Sequence, residues 1–116
     1  VDFAIVDYES ARRFLLDQSR SSFADTFLGR LQRNHPPMPG QVTSILLALK
    51  VVFERLKEEG AIDRNLVYAL HLLASEGRQL FESGLKKSAD CPPLLNEDLT
   101  RISLAVKSIF SGIWQT

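Results

Sequence analysis

The chain has 116 residues, 45% of them apolar and 24% charged, with 14 basic and 14 acidic side chains and a formal net charge of zero. That length fits one domain whose core needs neither disulfide nor metal, and the composition argues against a disordered or membrane-embedded chain. Charge is balanced along the chain, with five residues of each sign in 1–40, five basic and six acidic in 41–85, and four and three in 86–116. No segment therefore concentrates the positive charge that a phosphate backbone requires.

A single cysteine, Cys91, rules out an internal disulfide and fits a reducing compartment. Lys50 interrupts the longest apolar run, which falls short of the roughly 18–20 residues of a membrane span. Val1–Val6 has no basic lead and does not read as a signal peptide, although a chain that begins without Met says little about what precedes it. A cytoplasmic protein is expected, without membrane or nucleic-acid partners.

In chain order, Ala11, Phe14, Leu15 and Leu16 predict a helix from about Ala4 to Gln18, ended by Ser19–Ser22. Ser22 followed by Asp25 has the spacing of an N-cap box, and Phe23, Phe27, Leu28 and Leu31 predict a short second helix that stops before Pro36. The phenylalanines at 3, 14, 23 and 27 are expected to cap one end or side of the fold. Pro36, Pro37 and Pro39 make a stiff connector, closed by Gly40.

The third helix, over 41–58, carries the core stripe Val42, Ile45, Leu46, Leu49, Val52, Phe53 and Leu56. Leu47 and Val51 lie four apart on its other side, and an all-round apolar helix is central or sits at an interface. Asp63 reads as the N-cap of a fourth helix over 64–85, with Leu66, Leu70, Leu73, Ala74, Gly77, Leu80, Phe81 and Gly84 in the core. Gly77 and Gly84 predict close helix approach, because glycine inside a helix costs up to about 1 kcal/mol. Tyr68 and Leu72 form a second outer strip.

A last helix is predicted over 97–113, capped by Asn96, with Glu97 and Asp98 favourably placed at its positive end. Its core is Leu99, Ile102, Val106, Ile109, Phe110 and Ile113, a Glu97–Arg101 pair is expected, and Ser103, Ser108 and Ser111 make its wet side. Trp114 follows the last core position. The fold class is all-α, a four- to five-helix bundle in a single domain over 1–116. It is divided into an N-terminal helical pair (1–35) and a three-helix core (41–113), whose connectors favour antiparallel neighbours.

Chemistry-bearing patterns are sparse. His35 and His71 lack a second ligand at metal spacing, Cys91 has no histidine nearby in sequence to serve as base, and no serine sits in a nucleophile elbow. Neither phosphate-binding glycine pattern occurs. Arg12, Arg13, Arg20, Arg30, Arg33 and His35 are offset by Asp7, Glu9, Asp17 and Asp25. No catalytic, cofactor or metal residue is assigned.

The runs Pro37–Glu54, Leu66–Ala74 and Pro92–Leu99 resemble a family of small uncharacterised cyanobacterial proteins, some of which carry the label dethiobiotin synthetase. The resemblance spans roughly residues 37 to 115. It implies a cyanobacterial, cytosolic origin and carries over no functional residue. The labelled activity belongs to P-loop α/β enzymes, and this chain has neither the loop nor the strand patterns.

The expected function is that of a non-enzymatic interaction or regulatory module. Leu47 and Val51 would merge with Tyr68 and Leu72, on an antiparallel hairpin, into the interface of a homodimer. The alternative is a small-molecule-binding protein or enzyme with a pocket between helices, anchored by Tyr68, His71, Arg78 or Trp114. A third possibility is a component docked on a larger photosynthetic or regulatory complex.

Overall fold

Helix α1 (Tyr8–Gln18) begins where extended Asp7 turns its carboxylate back to accept the Ser10 amide at 2.8 Å, satisfying one of the donors that a first turn leaves free. The computed structural model describes residues 7–115. The expected start near Ala4, with Phe3 and Val6, lies outside them. Helix α2 (Phe27–Gln32) starts later than its sequence pattern suggests. Ser22–Asp25 are turns, and Thr26 is the cap, its hydroxyl oxygen accepting the Gly29 amide at 3.0 Å. Thr26 also donates to the carbonyls of Arg20 and Phe23, so one side chain closes the turn and opens the helix.

Helix α3 (Gln41–Leu56) follows Gly40, whose φ of +80° is open to glycine at little cost. Ile45, Ala48, Leu49, Val52 and Phe53 are buried, with Val42, Leu46 and Leu56 half-buried at the edges of the expected stripe. The predicted fourth helix is a single rod with a fault in it. Helix α4 (Arg64–His71) passes through a π-helical turn, Leu72–Glu76, into α5 (Gly77–Ser83). Leu73, Gly77, Phe81 and Leu85 are all buried and all four apart, and each such step overshoots a full α-turn by about 40°. The wider π-turn takes back that drift and keeps the stripe on one face.

Helix α6 (Leu95–Ser111) starts two residues before the predicted boundary, with Leu94 at the N-cap. Asn96 does not cap it, because its side-chain oxygen accepts from Arg78 at 2.5 Å. The expected Glu97 partner of Arg101 is replaced by Asp98, at 2.8 Å.

The packing is all-α, a ring of four rods in the order α1, α3, α6 and α4–α5, with α2 laid against α5 and the π-turn. Two corrections follow. The α3 helix and the α4–α5 rod, expected as an antiparallel hairpin, stand on opposite corners, because the 57–63 connector crosses the diagonal at one end. The α3 and α6 helices are parallel neighbours: Gly40–Thr43 lies beside Pro92–Leu95 at one end, and Leu56 and Lys57 beside Ile109–Gly112 at the other.

Phe110 and Ile113 were expected in the core and are 47% and 69% exposed. The helix runs out at Gly112, whose φ is +75° and against which the Lys57 carbonyl sits where a Cβ would go, so the chain turns away there. The phenylalanines do not form one cap, since Phe27 is fully buried and Phe23 is 57% exposed. A Cβ on Gly77 would meet the Phe27 ring at 3.4 Å and Leu28 at 3.6 Å, ordinary contact, so the close approach expected there is only moderate. At Gly84 the Asn34 side chain fills the space.

A buried glutamine pair joins the first three helices. Gln41 donates to the Gln18 side-chain oxygen at 2.9 Å and to the Asp25 carbonyl at 3.0 Å, while its own side-chain oxygen accepts the Met38 amide at 2.9 Å. Gln18 also accepts the Phe27 amide. Three of the N-terminal arginines serve the fold: Arg30 donates to the Pro36 carbonyl, Arg33 to those of Ser21 and Gly29, and Arg12 to Asp63.

Candidate functional site

The ring order decides what becomes of the sequence-derived interface. Leu47 is 58% exposed and Tyr68 63%, whereas Val51 and Leu72 are half-buried against the core. With α3 and α4 on opposite corners, the two strips face different sides and do not merge. Tyr68 and Leu72 instead line a shallow groove of about 310 Å³ with Leu16, Ser19, Arg20, Asn65 and Ala69, where α1 meets α4.

The pocket candidates also separate. His71 is exposed on the surface of the rod. Arg78 is committed to holding the rod on α6, donating to the Asn96 carbonyl at 3.2 Å and to Thr100 at 3.1 Å besides the Asn96 side chain. Trp114 lines a groove of about 360 Å³ between α3 and α6, with Leu46 and Lys50 on one wall, Arg101, Leu104 and Ala105 on the other, and Gln115.

This groove is built from the C-terminal turn. Past Gly112 the chain folds back and is pinned by Ser108, whose hydroxyl donates to the Leu104 carbonyl and accepts the Gln115 amide, both at 2.8 Å. Ser108 is fully buried, which corrects its placement on the wet side of the helix: the returning tail covers it and makes use of its second hydrogen-bonding position. Trp114 then meets Phe53 edge to face, centroids 5.1 Å apart, an arrangement that aromatic quadrupoles favour. The Lys50 ammonium lies over the Trp114 ring at 4.0 Å.

The floor is apolar and the rim cationic. Lys50 pairs with Glu54 at 3.3 Å and Arg101 with Asp98 at 2.8 Å. Hydrogen bonds from Lys57 and Lys50 hold the Glu54 carboxyl below its usual range, so it is an anion at neutral pH and anchors Lys50 at the groove edge. Leu46, Lys50, Arg101, Leu104 and Ala105 escaped sequence reasoning as a group, because only the parallel α3–α6 pairing brings them together.

Elsewhere the structure gathers little chemistry. Cys91 is half-buried, its thiol 3.6 Å from the Pro92 carbonyl. Among the described residues no three of His, Cys, Asp and Glu converge as metal ligands, and no helix is long and apolar enough to cross a membrane. Comparison with known protein families, with curated proteins and with solved structures found no match for the chain.

Proposed function

We propose that this chain is a non-catalytic helical module that works by association, two copies meeting through the α3–α6 face. The observation that supports the reading is Leu47, 58% exposed and one residue along α3 from Leu46, which lines the Trp114 groove. A ridge beside a groove is self-complementary: under a twofold axis, Leu47 of each copy enters the groove of the other. Burying a leucine is worth about 1.5–3 kcal/mol, counted twice in a symmetric pair. A net charge of zero removes long-range repulsion between copies. We place this work in the cytosol, in line with the single free cysteine.

Light scattering over a concentration series tests the reading. Wild type is expected at twice the chain mass, Leu47→Glu at the chain mass, and Tyr68→Glu still paired because Tyr68 faces another side. A wild type that stays monomeric at high concentration would end the proposal. A Tyr68→Glu variant that dissociates while Leu47→Glu does not would move the interface to the α1–α4 side.

A further inference from the structure

We infer that the α3–α6 groove is also a binding site for an amphipathic monocarboxylate, a small molecule with an alkyl or aryl body and one carboxylate. Such a ligand and Leu47 of a second copy would compete for this one groove, so the inference stands on the groove's own lining and not on pairing. Three features point to this class. Leu46, Leu104, Ala105 and the Trp114 ring make a predominantly apolar lining of about 360 Å³, the scale of a small-ligand pocket. The two charged side chains that line it, Lys50 and Arg101, are both cations and stand on opposite walls. Their acidic partners, Glu54 and Asp98, are exposed or half-exposed and are not among the lining residues, so the charge presented to the groove itself is positive.

Each cation keeps donors for a newcomer. The Arg101–Asp98 pair is made through one terminal nitrogen of a guanidinium that has five N–H groups. Lys50 has three donors and leans over Trp114, where a carboxylate at the rim would meet it above the ring. The alkyl body would lie against the indole, displacing water from apolar walls. A cationic amphiphile would meet two like charges at the same rim, and a neutral alcohol would gain the apolar term alone.

Trp114 is the sole tryptophan, so its fluorescence reports groove occupancy directly. Decanoate, decanol and decylamine, all below their aggregation concentrations, are titrated into Leu47→Ser, which cannot place a leucine in a neighbour's groove. Self-association and ligand binding are thereby scored apart. Decanoate is expected to shift Trp114 emission saturably and to bind about tenfold more tightly than decanol, the scale of one charge-assisted hydrogen bond. In Lys50→Glu/Arg101→Glu the order is expected to reverse in favour of decylamine, and in the milder Lys50→Gln/Arg101→Gln the preference is expected to disappear, with circular dichroism unchanged. The inference is overturned if decanoate leaves Trp114 emission unaltered, if decanol binds as well as decanoate, or if a folded Gln/Gln variant keeps the preference.

Discussion

Gln41 is polar at the first position of the most apolar helix in the chain, yet it is fully buried. Its amide connects four segments, reaching the end of α1 through Gln18, the turn before α2 through Asp25, and the proline connector through Met38. Buried amides of this kind are strong specifiers of register, because each unmet donor or acceptor carries a desolvation cost of about 1–3 kcal/mol. Gln41→Ala is expected to lower the unfolding free energy by about that amount, read as a fall in the urea midpoint with an unchanged slope. The pair was not legible beforehand: a glutamine at a helix start reads as solvated until Gln18, 23 residues earlier, is seen to face it.

At the scale of the elements, most boundaries were legible because caps and breakers act locally. Asp63 and Gly40 sit where they were expected, at the starts of α4 and α3. Thr26 and Leu94 displaced Ser22 and Asn96 as caps, in the second case because Arg78 competes for the Asn96 side chain. Two glycines separate packing from conformation. At Gly29 a Cβ would run into the Phe23 carbonyl, backbone that the Thr26 bond holds in place. Gly29→Ala should therefore destabilise, by about 1–3 kcal/mol as for other overpacking changes. Gly77 has only ordinary contacts around its missing Cβ, so Gly77→Ala should be neutral or stabilising by up to about 1 kcal/mol, the helix-interior advantage of alanine. Thermal unfolding of the two variants side by side checks the contrast.

At the scale of the whole molecule, the ring is fastened across its sequence distance by Arg12 and Asp63, 2.5 Å apart, which tie α1 to the start of α4. The hydrogen bond from Arg12 lowers the Asp63 pKa and raises that of Arg12, two shifts with one cause. A depressed carboxylate pKa contributes stability above the unfolded value, near 3.9, and that contribution is lost as pH falls through the lower folded value. Asp63→Asn keeps the cap but removes the charge, so its midpoint should lie below wild type at pH 7, and the gap should close below about pH 4. Both side chains are solvent-accessible, so the gap is expected to be modest. The sequence by itself determined that the chain is helical, where its long helices lie, and which stripes are apolar, because periodicity, caps and prolines act over one or two turns. Only the tertiary structure decided that α3 and α6 run parallel as neighbours, that Leu47 and Tyr68 face apart, and that Trp114 folds back to frame a groove with Lys50 and Arg101. Those outcomes depend on which stripe packs against which and on a seven-residue crossing at 57–63, and no local pattern carries either.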